Sequence, residues 1–211
     1  MKIVLISDTH GMHNSLGKLP KGDMIIHAGD VTNIGKEYQV MEFLSWFAGL
    51  KYKYKIFIAG NHDFYFERTP DEIVRENLPD GVTYLNDSGV EICGLKIWGS
   101  PITPTFFAWA FMRNRGASIA KHWGMIPDGS DIVVTHGPVY GIHDECHDEH
   151  VGCNELAKRI TEVKPRYHIG GHIHEGYGVF EKEGTTYVNP SVLDGDYKMV
   201  NKPIVIDVKT N

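Results

Sequence analysis

The sequence has few cysteines, and none of them stands in a metal-binding arrangement. Cys93, Cys146 and Cys153 are the three present, and no Cys-x-x-Cys pair occurs. An odd number without a repeated spacing excludes a disulfide framework and argues against a structural zinc ribbon. No apolar run approaches the ~20 residues needed to cross a bilayer, and residues 1–7 lack the long apolar core of a secretory signal. We therefore expect a cytoplasmic protein with no membrane partner.

Positive charge is also in short supply. Lys and Arg total 21 and Asp and Glu total 27, which gives a formal net charge of −6. An overall basic field is absent, so we expect no stable nucleic-acid partner. Internal repeats and Ser/Gly/Pro-rich linkers are missing as well. The sequence therefore predicts a single domain over residues 1–211.

Short apolar runs alternate with segments of helical spacing along most of the chain. Continuous apolar runs are typical of strands buried on both faces. They lie at residues 3–6, 24–27, 56–59, 132–135 and 167–169. Helices are predicted at residues 38–50, 71–78 and 153–163. Antiparallel strands are predicted at residues 179–181, 185–188 and 204–208, so we expect an α/β fold with mixed sheets.

Each of the five apolar runs ends in a polar cluster. Ligands of α/β folds bind beyond the carboxyl ends of the strands, so five neighbouring strand ends would bring these clusters into one site. The flanking glycines would allow a sharp exit from each strand and a close approach of the backbone. The clusters are Asp8-Thr9-His10, Gly29-Asp30, Gly60-Asn61-His62-Asp63, His136-Gly137 and Gly170-Gly171-His172-Ile173-His174.

Oxygen and nitrogen donors in these clusters predict a metal centre. Histidine, the commonest metal ligand in proteins, is also the one residue type in excess, with 12 copies. The donors are Asp8, His10, Asp30, Asn61, His136, His172 and His174. They are too many for one ion, whereas two ions sharing a bridging aspartate fit, and such pairs catalyse in-line phosphoryl displacement. We expect manganese first, with iron, zinc, nickel or cobalt as alternatives.

The ordered motifs resemble those of the calcineurin-like metallophosphoesterase superfamily over nearly the whole chain. The chain is most similar to the metallophosphoesterase-domain-containing branch, through residues 54–62, Thr135-His136-Gly137-Pro138 and His174-Glu175-Gly176-Tyr177-Gly178 among other stretches. The resemblance implies a four-layer sandwich of two mixed β-sheets packed face to face, with helices outside. It also implies a metal-dependent phosphoric ester hydrolase.

The resemblance further implies a role for each motif residue. Asp8, His10, Asp30 and His174 would hold one metal, and Asp30, Asn61, His136 and His172 the other, so that Asp30 bridges. His62 would act as general acid at the leaving group, and Asp63 would orient its imidazole. Asn61, His62 and Arg115 would contact the substrate.

The predicted activity is hydrolysis of small phosphodiesters, cyclic nucleotides among them, by in-line attack of a metal-bridging hydroxide. Two alternatives stay open: a phosphomonoesterase or nucleotidase, and a metal-binding scaffold for protein interaction with the same fold. The presence of both His62 and His172 favours an enzyme, because a site without catalysis has little reason to keep them.

Three segments have two interpretations each. The aromatic residues of 100–116 would either pack onto the core or form a substrate lip. The polar run 143–150 would be a solvated loop or a pocket rim. Asn33 would be a turn residue or a polar group beside the substrate.

Overall fold

Two large β-sheets pack with their inner faces together. The computed structural model describes residues 1–209, so residues 210 and 211 of the predicted domain lie outside the described range. The first sheet has five strands and the second has six. Two short strand pairs in the described residues lie outside these sheets.

Fifteen strands and five α-helices follow one another along residues 1–209. The strands are β1 (Lys2–Ile6), β2 (Met24–Ala28), β3 (Tyr54–Ile58), β4 (Val82–Tyr84), β5 (Ser88–Ile92), β6 (Leu95–Ser100), β7 (Thr103–Pro104), β8 (Met112–Arg113), β9 (Ile132–Thr135), β10 (Glu145–Cys146), β11 (Glu149–His150), β12 (Tyr167–Ile169), β13 (Gly178–Lys182), β14 (Thr185–Asn189) and β15 (Ile204–Asp207). The α-helices are α1 (Glu37–Gly49), α2 (Phe64–Arg68), α3 (Asp71–Glu76), α4 (Ala117–Trp123) and α5 (Asn154–Val163), and two 3-10 turns cover His13–Leu16 and His174–Gly176.

Both sheets combine parallel and antiparallel pairs. The first has the strand order β15-β1-β2-β3-β4 and the second the order β13-β14-β12-β9-β6-β5, and the short pairs are β7-β8 and β10-β11. β1 to β4 run parallel, and β15 joins β1 antiparallel. In the second sheet, β14, β12, β9 and β6 run parallel, with antiparallel β13 and β5 at the two edges. The expected mixed α/β architecture is therefore confirmed. Of the last three strands, β13 and β15 pair antiparallel as expected, whereas β14 pairs antiparallel with β13 but parallel with β12.

Alternate side chains of the central strands enter two different buried clusters. In β1, Ile3 and Leu5 pack between the sheets, whereas Val4 and Ile6 pack in the cluster that includes the helices. This two-sided burial explains the continuous apolar runs. Burying a side chain of this size stabilises the fold by about 1.5–3 kcal/mol.

Helices cover the outer faces of both sheets, which completes four layers. Val40, Phe43 and Phe47 of α1 pack in the outer cluster, and Phe43 lies edge-on to Phe57 of β3 with ring centroids 5.4 Å apart. Buried residues of α4 and α5 belong to the same cluster. Of the helices in residues 1–209, none combines the length and apolar character required to cross a membrane.

The five strand ends that carry the polar clusters belong to two sheets. β1, β2 and β3 belong to the first sheet, whereas β9 and β12 belong to the second. The polar clusters meet because the two sheets face each other and present their carboxyl ends at the same edge of the sandwich.

Candidate active site

Within each sheet, backbone hydrogen bonds join the polar loops to one another. The amide of Asp8 donates to the carbonyl of Gly29 at 3.0 Å, and that of His10 donates to Asp30 at the same distance. In the second sheet, the amide of Gly171 donates to the carbonyl of His136 at 2.8 Å. The loops are therefore held in fixed relative positions before any ligand binds.

Glycine is required at two of these loop positions by the close approach of carboxylates. A Cβ on Gly60 would overlap the carboxylate of Asp30, and one on Gly171 would overlap the side chains of Asp8 and Ser7. These contacts confirm the close backbone approach expected from the flanking glycines.

Four candidate ligands adopt the left-handed backbone conformation. Their φ angles are 56° at Asp8, 44° at His10, 54° at Asp30 and 67° at His172. Such a conformation costs on the order of 1–3 kcal/mol at a residue with a side chain, and such strain is commonly located at functional sites. Four of the 13 non-glycine residues with positive φ in the described part of the chain are therefore candidate ligands.

The candidate ligands form two groups, and Asp30 faces both. Donor atoms of Asp8, His10 and His174 lie within 4.8 Å of one another, and so do those of Asp30, His136 and His172. Oδ2 of Asp30 lies 3.6 Å from Nε2 of His10 and 3.3 Å from Nε2 of His136. Asn61 extends the second group, because its Oδ1 lies 2.9 Å from Nε2 of His136. A third group includes His62, with His10 and Asp30.

Backbone carbonyls fix the orientation of two ligand imidazoles. Nδ1 of His136 donates to the carbonyl of Ala28, and Nδ1 of His174 donates to that of Asp194, each at 3.0 Å. This arrangement leaves Nε2 of each ring directed towards the centre. Metal-ligating histidines commonly use the second nitrogen in this way.

Burial and neighbouring charges set the protonation of the group. Burial lowers the pKa of His10 to about 4 and that of His172 to about 3. Burial alone would raise the pKa of Asp8 and Asp30, but nearby His174 and His136 hold both carboxyls below their ordinary range. Burial opposes protonation of His136, yet the adjacent Asp30 raises its pKa to about 9. Ionised carboxylates and neutral His10 and His172 are the forms that bind metals.

His10 gives the clearest sign that the group fits a metal ion. Both of its ring nitrogens are buried and have no hydrogen-bond partner among the described residues. An unsatisfied buried polar atom costs about 1–3 kcal/mol. A cation beside His10 would remove that cost, and the oxygen and nitrogen donors around it suit a divalent transition metal.

Asp63 does not orient the imidazole of His62, contrary to expectation. Its carboxylate accepts hydrogen bonds from the amides of Val31, Thr32 and Gly60 and from the hydroxyl of Thr32, at 2.6–3.0 Å. Burial and the charge of Asp30 raise its pKa to about 6. Asp63 therefore links the loop after β2 to the loop after β3.

Asn33 and Trp109 orient the His62 ring instead. Nδ1 of His62 donates to the carbonyl of Asn33 at 2.7 Å, and the Trp109 ring stacks on the imidazole at a centroid distance of 4.3 Å. The Asn33 carbonyl thus acts beside the site, although the sequence pointed only to its side chain or to a turn.

A cleft of about 510 Å³ opens above the candidate ligands. Phe106 and Phe107 lie exposed on its rim, Trp109 lines it, and Phe111 is buried in the core. The segment 100–116 therefore contributes both to the core and to the lip. Cys146 and His147 line the cleft as well, so part of the run 143–150 forms a rim.

Arg115 lies in the cleft wall with its guanidinium partly engaged. Its Nη1 and Nη2 donate to the carbonyls of Gly152 and Val151, both at 2.6 Å. Its role as a substrate contact stays a prediction. Tyr197 was not predicted: its ring centroid lies 5.0 Å from that of His10 and 4.9 Å from that of His174. The residues around Tyr197 carry no motif that could have identified it.

Comparison with known proteins agrees with this geometry. A family model described as calcineurin-like phosphoesterase matches residues 1–176. Metallophosphoesterase domain-containing protein 1 of Homo sapiens is 41% identical over 233 residues, which cover 99% of this chain and 71% of that protein. A UPF0046 protein of Caenorhabditis elegans is 36% identical over 218 residues, covering 97% of this chain and 74% of its own. The crystal structure of TT1561 of Thermus thermophilus shares the fold, with a TM-score of 0.60, 12% identity and coverage of 90% of this chain and 88% of that one.

The fold, the ligand groups and the family model together define a metal-dependent phosphoester hydrolase. More narrowly, the chain belongs to the calcineurin-like phosphoesterase family.

Proposed function

We propose that this protein is a phosphodiesterase that acts on small phosphodiesters with two divalent ions in the cleft. The observation that carries the proposal is the position of Asp30 between two ligand groups, with Nε2 of His62 at 4.0 Å from Oδ2 of Asp30. This arrangement supports the proposal, because a proton-transfer group would lie directly beside two cations bound by these groups.

The candidate donor side chains would form one ligand set for each of two ions, with Asp30 in both sets. Asp8, His10, Asp30 and His174 would hold one ion, and Asp30, Asn61, His136 and His172 the other, with manganese as the first candidate. Ions bound there supply Lewis acidity, which lowers the pKa of water and neutralises charge on phosphoryl oxygens.

His62 carries the proton to the leaving group in this proposal. Because Nδ1 donates to the carbonyl of Asn33, only Nε2 is free to accept and release a proton. Stacking against Trp109 limits rotation of the ring. Nε2 of His62 is therefore positioned to protonate an alkoxide as the ester bond breaks, which is general acid catalysis.

The charge of the cleft favours a diester over a monoester. Among the described residues that line it, Arg115 is the only lysine or arginine, and two of its nitrogens already donate to backbone carbonyls. A monoester dianion has more charge to neutralise than a diester monoanion. The exposed rings of Phe106 and Phe107 suit planar substituents, which makes nucleotides, cyclic ones included, the first substrates to screen.

The test compares bis-p-nitrophenyl phosphate with p-nitrophenyl phosphate in Mn²⁺ and in EDTA. We expect diester turnover that requires Mn²⁺ and is lost in Asp8→Ala, while His122→Gln, a histidine outside the cleft, retains it. Cleavage of the monoester alone would favour a phosphomonoesterase. No cleavage with bound Mn²⁺, Ni²⁺, Co²⁺ or Zn²⁺ would refute the catalytic proposal and favour a protein-interaction scaffold.

A further inference from the structure

Two histidines outside the ligand groups are buried directly behind them. His27 lies in β2 and is fully buried, and His168 lies in β12 with 3% of its surface exposed. Each stands on a strand next to one that leads into a ligand loop: β2 pairs with β1, and β12 pairs with β9. Neither residue reaches the cleft.

The contacts of His168 have a defined direction. The hydroxyl of Thr135 donates through Oγ1 to the carbonyl of Gly137 at 2.7 Å. Nε2 of His168 lies 2.9 Å from Oγ1 of Thr135. A hydroxyl has one proton to donate, so Oγ1 accepts from Nε2–H of His168. Thr135 and Gly137 flank His136. The two hydrogen bonds therefore hold both sides of the turn that presents this ligand.

His27 repeats the arrangement in the first sheet. Its Nε2 lies 3.0 Å from Oγ1 of Thr9, and that oxygen donates to the carbonyl of Val31 at 3.4 Å. Thr9 stands between the ligands Asp8 and His10, and Val31 directly follows Asp30. The His27–Thr9 pair thus connects the ligand loop after β1 to the ligand loop after β2.

We propose that His27 and His168 are positioning residues of the metal centre, each acting through Nε2–H on a threonine hydroxyl that holds a ligand turn in place. The inference rests on the proposed function, since it assigns these residues to the same site. Burial lowers the pKa of both histidines to about 3, so both are neutral donors at physiological pH. Loss of such a partner behind a ligand reduces metal affinity by roughly 10–100-fold.

A purely structural role predicts a different result. His168 also packs near Tyr187, with ring centroids 5.7 Å apart, so loss of the ring affects packing as well as the hydrogen bond. His168→Gln retains an N–H donor, whereas His168→Leu retains apolar volume and has no donor. Thr135→Val removes the acceptor at nearly constant shape, and Thr135→Ser retains it.

The experiment measures Mn²⁺ binding to the metal-free full chain by calorimetry, together with urea unfolding of each variant. For one of the two ions, we expect the Kd of Mn²⁺ to rise roughly 10–100-fold in His168→Leu. In His168→Gln the Kd should stay near the native value. The double variant with Thr135→Val and His168→Leu should have the same Kd as His168→Leu alone. If His168→Leu does not fold, Thr135→Val against Thr135→Ser makes the same comparison. A long-range ¹H–¹⁵N spectrum should show the Nε2–H tautomer at His168.

Two results would overturn the inference. One is an unchanged Kd in His168→Leu or Thr135→Val with only the unfolding midpoint reduced, and the other is an Nδ1–H tautomer at His168. Because binding is measured without substrate, the two proposals fail separately. If the predicted Kd pattern appears in a protein that cleaves no phosphodiester, the positioning role stands and only the proposed function fails.

Discussion

Replacing His62 by alanine tests whether Nε2 delivers a proton to the leaving group. Nδ1 is held by the carbonyl of Asn33 at 2.7 Å, so the ring has one nitrogen available for proton transfer. Without it, the departing oxygen leaves as an anion. A poor leaving group such as an alkoxide then suffers most, and a nitrophenoxide, which is stable as an anion, suffers least.

The size of the effect follows from the leaving group. General acid catalysis contributes roughly 10²–10⁴-fold to the rate, which corresponds to about 3–5 kcal/mol of activation free energy. In His62→Ala, we expect kcat to fall by this whole factor for alkyl esters and only slightly for nitrophenyl esters. Metal content should stay at the native value, because Asp30 and the other ligands remain.

The assay is a series of aryl methyl phosphates whose phenols differ in acidity, together with dialkyl esters. Plots of log kcat against leaving-group pKa should be shallow for the native protein and steeper for His62→Ala. Parallel plots would refute the proton-donor role. Loss of bound Mn²⁺ in His62→Ala would instead make His62 a ligand, in line with its place in the group of His10 and Asp30. His122→Gln serves as the control.

Three further outcomes are expected. Asp30→Ala should lower the content of both ions by mass spectrometry, whereas Asp8→Ala should lower mainly one; equal losses would contradict the bridging role. Gly171→Ala should weaken Mn²⁺ binding at least tenfold, roughly the effect of disturbing a ligand's support, because its methyl group would overlap Asp8; Gly49→Ala, which has open space, should bind normally. Between pH 7 and pH 5, the metal-free native protein should lose about 2 kcal/mol more of its free energy of unfolding than the His168→Gln variant. The reason is that His168 has a pKa of about 3 in the folded protein, so below pH 6.5 only the unfolded chain takes up a proton at this residue. Urea unfolding at both pH values measures this, and an equal pH dependence would contradict it.

The sequence predicted the central strands and two long helices because burial leaves a clear pattern. The predicted helices at 38–50 and 153–163 correspond to α1 and α5 within one residue at each end. Helices α2 and α4 were missed, since five and seven residues are too few for a periodic signal. The β5–β6 hairpin was also missed. Its turn contains Gly94, which adopts a φ of 77°, and a glycine at this position was the available sequence signal for a turn.

The candidate ligands were predictable because metal chemistry demands particular side chains at strand ends. The group that orients His62 was not predictable, because the carbonyl of Asn33 belongs to the backbone and any residue type would supply it. For Asp63, the position next to His62 in the sequence led to a wrong prediction. It is adjacent to His62 in the chain, yet it accepts hydrogen bonds from Val31, Thr32 and Gly60 instead, because the chain turns sharply between strand and helix.

The group of Asp8, His10 and His174 and the group of Asp30, His136 and His172 both draw on the two sheets, and this has a consequence for how the protein assembles. Asp8 and His10 follow β1 while their partner His174 follows β12, and Asp30 meets His136 and His172 in the same way. Neither group is complete until the chain as far as residues 172–174 has folded against the first strands. An ion bound to either group would link the two sheets, and at a concentration of a hundred times its Kd it would add about 2.7 kcal/mol to the stability of the folded state. Metal supply would thus determine how firmly the two halves stay together, as well as whether catalysis occurs.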